Sequence, residues 1–468
     1  MTSLTKIIAT VGPACEKSEM LKKLIDAGVS IFRLNLKHND ISWHQKIIQS
    51  IDGLRKKYGY EVGIMLDLQG PELRLLTKNK ADIDVFRGEE VYLGDVFLTD
   101  QKSIILSKKN ITNKIKIGEK IYIDSGLYEF KVVFSKKGLV VLKSIQDCVI
   151  KNGKSVAIPG FENDLPALTR DDFSNLSEFC GLPVNFVCLS FCRSKEDVKK
   201  LRQVLKLKNM KVSVISKIEN RTGLNNLDEI IDVSDGIMVA RGDLGVEVPI
   251  KEIAFWQKEI IRSCRLKNKP VIVATQMMES MVEMAKPTRA EVSDVANAVF
   301  DGADCLMLSG ETAVGKYPIG VVTYMQSICQ FTEYKRPIDR LKRKQFKVGD
   351  LMVNSVRNLV VNSKNVSIDK ILVFSKSGNT ARFISSYRLG IPMISLTDSK
   401  KTVKDMLLSY AVIPYFKKFN GGKFDASGEI IDELLKIGLL KKGERVIVVH
   451  GQSWLVSSTT NEVGVFEV

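Results

Sequence analysis

Eight short runs rich in β-branched and apolar residues recur along the chain: KIIATVG (6–12), VSIFRLN (29–35), EVGIMLD (61–67), VNFVCLS (184–190), KVSVISK (211–217), DGIMVA (235–240), PVIVATQ (270–276) and ADCLMLS (303–309). Amphipathic stretches such as SEMLKKLIDAG and IKEIAFWQKEIIRSCRLKN lie between them. Near-continuous apolar strands alternating with such helices belong to a parallel sheet buried on both faces, and eight of them predict an α/β fold of the (β/α)8 TIM barrel class. A doubly wound dinucleotide-binding sheet is the weaker alternative, because no G-x-G-x-x-G follows the first run.

The spacing breaks once, between the third and fourth runs. There EEVYLGDVFL, KIYID and YEFKVVFSKKGLVVLKS read as strands with almost no helical periodicity. The expected organisation is a barrel domain over residues 1–70 and 163–340, a small β-barrel lid domain inserted at 71–162 after strand three, and a C-terminal α/β regulatory domain over 341–468. An insertion leaving from the catalytic face of such a barrel suits a lid. The charged segment EYKRPIDRLKRKQFK marks the second boundary, after which ILVFS, PMISL, AVIPYF and RVIVVH resume strand–helix alternation.

Composition narrows the function classes. The net charge of +16 comes from scattered lysines and not from a basic stripe interleaved with aromatics, so nucleic acid is not expected as a partner. No segment approaches eighteen uninterrupted apolar residues and the N-terminus has no signal-peptide pattern, so no membrane is expected and the location read is cytoplasmic. The eight cysteines form no C-x-x-C pair, and Cys188 and Cys192 read as core residues. Three dispersed histidines, His38, His44 and His450, leave carboxylates, lysine, arginine and hydroxyls to carry any chemistry.

Barrel active sites form where the strands end. Those ends carry Arg33 with Asn35, Asp67, Ser190, Lys217 with Glu219, Arg241 with Asp243, Thr275 with Gln276, and Ser309 with Glu311. Singly, each could be a cap or turn former. Together they point polar groups at one face. Glu219 and Asp243, from adjacent strands, could converge on a hard divalent cation, with Lys217 beside it, as phosphoryl transfer or enolate formation requires. A buried Lys217–Glu219 pair with no further role explains that local motif equally well.

The motifs TKIIATVGPA, RLNLKH, GPELR, SKIEN, SDGIMVARGDLGVE, ATQMMESM, KPTRAEVSDVANAVFDGADCLMLSGETAVGKYP and SKSGNTARFIS make the chain, from residue 6 to its C-terminus, resemble the pyruvate kinase family. The resemblance implies phosphoenolpyruvate and ADP giving pyruvate and ATP, with Mg2+ or Mn2+ as cofactor and a homotetrameric assembly. It places Lys217 at the transferring phosphoryl group and enolate, Glu219 and Asp243 as metal ligands, and Arg33 at the phosphoryl group. Gly242 with Asp243 matches the loop for the substrate carboxylate, and Thr275 matches the threonine implicated in protonating the enolate. Arg74, Lys154 and Asn35 match positions near the nucleotide. The loop of Ser375, Lys376, Ser377, Gly378 and Thr380 at a helix start reads as a phosphate cradle, and its family counterpart binds phosphorylated effectors.

The departures concern a monovalent cation. In the family, potassium is held by residues matching Asn35, Asp67, a serine replaced here by Lys37 and a threonine replaced by Leu68. Potassium-independent relatives carry Leu-Gln after this aspartate, as Leu68-Gln69 do, and usually a lysine at the position of Glu72, which this chain keeps. The expectation is that Lys37, paired with Asp67 and Glu72, stands in for potassium, which is then not required. The family's effector loop near the C-terminus is GQSWLVSSTTN here. The competing functions are a barrel lyase or aldolase working through pyruvate enolate, and a non-catalytic RNA-binding protein.

Overall fold

All eight apolar runs become strands: Lys6–Thr10, Val29–Asn35, Gly63–Asp67, Phe186–Leu189, Ser213–Ile218, Gly236–Ala240, Val271–Ala274 and Cys305–Leu308. In the computed structural model they pair in parallel and in chain order into one closed barrel. The structure describes residues 2–136, 138–160, 165–336, 341, 348–362, 367–418, 429–451 and 460–468.

The period of two along each strand divides its side chains between two cores. Ile8, Ile31, Met65, Phe186, Cys188, Ile215, Met238, Ile272, Ala274, Cys305 and Met307 fill the barrel interior. Their neighbours, such as Ile7, Phe32, Leu34, Ile64, Leu66, Val187, Val214 and Val239, face outward and pack under the surrounding helices. Both sets are apolar, which is why the strands read as continuous hydrophobic runs. Cys188 and Cys192 are fully buried, as expected.

The small β unit leaves after the third strand. Seven strands, Leu73–Thr77, Glu90–Gly94, Ser103–Leu106, Lys120–Ile123, Tyr128–Lys136, Leu139–Ser144 and Ser155–Ala157, close into a second barrel around Leu75, Leu93, Ile121, Phe130, Val132 and Leu142. A separate pair, Ile83–Val85 with Cys148–Ile150, flanks it.

The C-terminal sheet has the four expected strands, Lys370–Phe374, Met393–Thr397, Val412–Phe416 and Arg445–His450, all parallel. A fifth, Glu462–Glu467, pairs antiparallel on its edge and was not among the expected strands. This unit also supplies the floor of the large barrel: Leu407 and Leu408 insert among the interior side chains, and Cys305 Sγ donates to the Leu408 carbonyl at 3.2 Å. Residues 161–164, 337–340, 342–347 and 452–459 lie outside the described residues. They include the end of the expected lid, most of the charged boundary segment and most of the GQSWLVSSTTN loop.

Candidate active site

Along four of the interior lanes the side chains change from apolar to polar or charged towards the strand's C-terminal end. Ile31 is followed by Arg33 and Asn35, Met65 by Asp67, Cys188 by Ser190, and Ile215 by Lys217 and Glu219. Arg33, Asp67, Ser190, Lys217 and Glu219 are all buried.

These groups form a row of alternating charge. Arg33 Nη2 lies 2.6 Å from Asp67 Oδ2, with Nε donating to the same oxygen at 2.8 Å and Nη1 donating to Thr10 Oγ1 at 3.0 Å. Lys217 Nζ lies 3.3 Å from Asp67 Oδ1 and 2.9 Å from Glu219 Oε1, and donates to Ser190 Oγ at 3.0 Å. Glu219 Oε2 accepts the backbone N–H of Phe191 at 2.6 Å. Phe191 presents that N–H from a left-handed conformation, φ 53°.

Burial works against a charged Lys217, but the Asp67 and Glu219 carboxylates outweigh it and hold the ammonium well above its ordinary range. Burial also opposes ionisation of Asp67, and Lys217 and then Arg33 overcome it, so the carboxyl titrates below the ordinary aspartate value. Burial pushes the Glu219 carboxyl up to about 7; Lys217 opposes the rise and Asp243 adds to it.

Asp243 sits in the first turn of the helix Arg241–Glu247, which follows the sixth strand, and lines the same cavity of about 340 Å³ as Glu219. Glu219 Oε1 is buried, accepts no hydrogen bond and is ion-paired with the Lys217 ammonium. Two carboxylates lining one cavity, one of them with a raised pKa and an oxygen that accepts no hydrogen bond, are a donor set that gains from a hard divalent cation, and the residues fit one. Among the described residues no third His, Cys, Asp or Glu joins them, so the other ligand positions would fall to water and substrate.

The remaining expected residues take distinct places. Gly242 donates its N–H to Thr275 Oγ1 at 2.8 Å, and Thr275, at φ 69°, donates its hydroxyl to the Ala274 carbonyl at 2.6 Å. Arg241 turns away from Glu219 to Asp294 at 2.7 Å and to the Thr275 carbonyl at 2.7 Å. Glu311 accepts the N–H groups of Ser309 and Met278 at 2.6 and 3.2 Å, as a structural cap would. On the small-barrel side, Arg74 pairs with Glu72 Oε2 at 2.7 Å and donates to the Gly153 carbonyl at 2.8 Å, while Lys154 pairs with Asp124 at 2.9 Å.

Lys37 meets one of its two expected partners, Glu72, and not the other, Asp67. Its Nζ meets Glu72 Oε1 at 3.1 Å and lies 5.5 Å from the Phe191 ring centroid, but Asp67 is taken by Arg33 and Lys217 and feels Lys37 only through space. Asn35 Oδ1 accepts the Lys37 N–H at 3.2 Å, and the Leu68 carbonyl accepts the Ser190 hydroxyl at 2.6 Å.

In the C-terminal unit, the helix after Ser375–Gly378 is Asn379–Ser386, entered through Gly378 at φ 75°. Lys376 and Ser377 are exposed, and the Lys376 carbonyl is held by the Thr397 and Thr402 hydroxyls at 3.2 and 3.0 Å. The Ser375 N–H, expected to be free for a ligand as in a cradle, instead stays in the sheet and donates to the Leu396 carbonyl at 3.0 Å.

The sequence reading missed Thr10 and Phe191. Thr10 ends the first strand and could have been read there; the backbone conformation of Phe191 left no sequence signal.

Known proteins resemble this chain along nearly its whole length. The family model described as "Pyruvate kinase, barrel domain" matches residues 2–322, and "Pyruvate kinase, alpha/beta domain" matches 356–466. A pyruvate kinase of Dictyostelium discoideum is 36% identical over 477 residues, covering 99% of this chain and 94% of the relative. One of Clostridium acetobutylicum is 37% identical over 464 residues, covering 98% of each. The crystal structure of a pyruvate kinase from Cryptosporidium parvum superposes with a TM-score of 0.88 at 32% identity, covering 100% of this chain and 96% of that one. The chain belongs to the pyruvate kinase family and is an enzyme, a phosphotransferase.

Proposed function

We propose that the enzyme moves the phosphoryl group of phosphoenolpyruvate to ADP, giving pyruvate and ATP, with Mg2+ or Mn2+ bound by Glu219 and Asp243. The observation that carries this reading is the buried row Arg33, Asp67, Lys217, Glu219. It sets two cations, positioned by carboxylates, where a transferring phosphoryl group would lie. When bound, the divalent ion neutralises charge on the phosphoryl and substrate oxygens.

A β-phosphate oxygen of ADP attacks phosphorus as the bond from phosphorus to the enol oxygen breaks. Lys217, kept charged by its neighbours, stabilises the negative charge left on that oxygen. Arg33 orients the phosphoryl group, and Gly242 and Asp243 receive the substrate carboxylate. The enolate then takes a proton at its terminal carbon through Thr275, whose hydroxyl is stationed between the Gly242 N–H and the Ala274 carbonyl. The small barrel acts as a lid over residues 71–162. Arg74 and Lys154 exchange Glu72 and Asp124 for the ADP phosphates, with Asn35 nearby.

In this reading Lys37, braced by Glu72 and Phe191, supplies the charge that potassium gives elsewhere, and potassium is not required. The Lys376–Thr380 loop is the place for a phosphorylated effector, and by family resemblance the enzyme is a cytoplasmic homotetramer. The test is to mix phosphoenolpyruvate, ADP and MgCl2 and measure both products. Equal pyruvate and ATP, absent without ADP or after chelation, is expected. No consumption of ADP, with pyruvate released instead by C–C cleavage of a longer 2-oxo acid, would favour the lyase reading, and salt-sensitive RNA binding without turnover would favour the binding protein.

A further inference from the structure

A cavity of about 640 Å³ lies between the foot of the large barrel and the C-terminal unit. Phe186 and Leu408 give it an apolar wall, and Lys269 and Arg382 bring a cation to it from each unit. Lys269 precedes the strand Val271–Ala274, and its Nζ donates to the Ser234 carbonyl at 2.6 Å and to the Asp232 carbonyl at 3.5 Å. Arg382, near the start of the helix Asn379–Ser386, donates through Nη2 to the Ser377 carbonyl and to Asn379 Oδ1, both at 2.9 Å.

Among the described residues no carboxylate forms an ion pair with Lys269 or Arg382, although Asp235, Asp350 and Asp405 line the same cavity. Asp235 is engaged by Arg202 and by the Val214 N–H, each at 2.8 Å, and Asp405 by Lys401 at 2.5 Å and the Ser213 hydroxyl at 2.7 Å. A third lining cation, Lys267, pairs outside this set with Asp232 at 2.9 Å. Burial lowers the pKa of Lys269 and of Arg382, and the carboxylates offset only part of that from a distance. The Arg382 charge lowers Lys269 further. Two half-buried cations that repel each other across an interface are stabilised by an anion placed between them.

We propose that this cavity is a binding site for the phosphoryl group of a small metabolite, held by Lys269 of the barrel and Arg382 of the C-terminal unit. The site rests neither on the reaction proposed above nor on the effector role given to the Lys376–Thr380 loop, although Ser377 and Thr380 line the same cavity. A guanidinium and an ammonium offer charge-assisted donors that suit a dianion. The volume falls within the range of small-molecule sites and leaves room for the body of the ligand along Phe186 and Leu408. An anion there joins the roots of two catalytic strands to the turn that floors the barrel. Asp405, beside that turn at Met406–Leu408, takes the Ser213 hydroxyl at the root of the strand that carries Lys217. Lys269 stands at the root of the strand leading to Thr275.

The test is hydrogen exchange, read by mass spectrometry, on the full metal-free protein with inorganic phosphate as probe and sodium chloride of equal ionic strength as control. Phosphate should slow exchange in the wild-type segments 267–271 and 379–386 together, and chloride should not. Titrating that protection gives an apparent affinity. It should weaken about tenfold or more in Lys269→Gln and in Arg382→Gln, and less in Arg382→Lys, which keeps the charge. No protection of these segments in the wild type, or undiminished phosphate affinity in whichever glutamine variant folds, would overturn the site. So would protection confined to 379–386 that Ser377→Glu removes and Lys269→Gln does not, which would leave the ion on the effector loop alone. Turnover of phosphoenolpyruvate and ADP is measured separately, so failure of the phosphoryl-transfer reading leaves this result standing.

Discussion

Arg388 of the C-terminal unit closes on Asp304, at the foot of the eighth barrel strand, in an ion pair whose side chains are 1% and 5% exposed. Arg388 also donates to the Gly302 carbonyl at 2.8 and 3.1 Å, and Asp304 accepts the Val271 and Tyr410 N–H groups at 3.1 and 2.9 Å. Arg388→Ala would leave a buried carboxylate without its cation and should cost about 3–5 kcal/mol in urea unfolding. Arg388→Lys should recover little of that, since an ammonium cannot reproduce the guanidinium fork.

Lys217→Met should lower kcat by roughly 100-fold or more and change the KM for phosphoenolpyruvate much less, because the lost charge acts mainly in the transition state. Steady-state kinetics with saturating ADP and Mg2+ measures this, and near-normal turnover would remove Lys217 from the mechanism.

Asp67 gives a pH signature. Its folded carboxyl titrates below the ordinary value of 3.8, so its stabilising contribution is complete well above that value and is lost as pH falls through the folded value. Asp67→Asn should cost about 3–5 kcal/mol at neutral pH, since it leaves Arg33 without its carboxylate and Lys217 with Glu219 alone. The difference from wild type should stay constant on moderate acidification and shrink once the pH drops below 3.8. Urea titrations at a series of pH values would follow it.

Turnover of the wild type in a buffer whose only monovalent cation is a bulky organic one should be close to that with potassium. Lys37→Ser should lose activity and regain part of it with added potassium. Activation of the wild type by about tenfold or more, equivalent to about 1.4 kcal/mol, would sink the replacement.

Phosphorylated sugars or nucleotides should shift the phosphoenolpyruvate saturation curve of the wild type, and Ser377→Glu should abolish the shift by placing a carboxylate where the phosphate would sit. An unchanged response in that variant would move the effector elsewhere.

The large barrel could be read from the sequence because both the inward and the outward faces of its strands are apolar, so each strand appears as an unbroken run. The edge strand Glu462–Glu467 could not, since its exposed residues carry no such run. Charged lanes at the strand ends were visible because Arg33, Asp67, Lys217 and Glu219 keep the same alternation as the core beneath them. What the sequence hid were choices made by side-chain torsion or backbone hand. Lys37 had two carboxylates to choose from, and the row through Lys217 had already taken Asp67. Phe191, Thr275 and Gln276 adopt φ values of 53°, 69° and 52°, which local propensity does not foretell.

Leu407 and Leu408 bear on how the molecule is made. The barrel's last strand ends at Leu308, yet its apolar floor comes from leucines translated long afterwards. A nascent chain that has emerged only as far as the eighth strand would hold a ring of strands with an open greasy base. Sealing it is a contact of high sequence separation, slow to form and exposed to aggregation until it does. The catalytic barrel therefore reaches its final form only after the C-terminal unit has left the ribosome and docked beneath it.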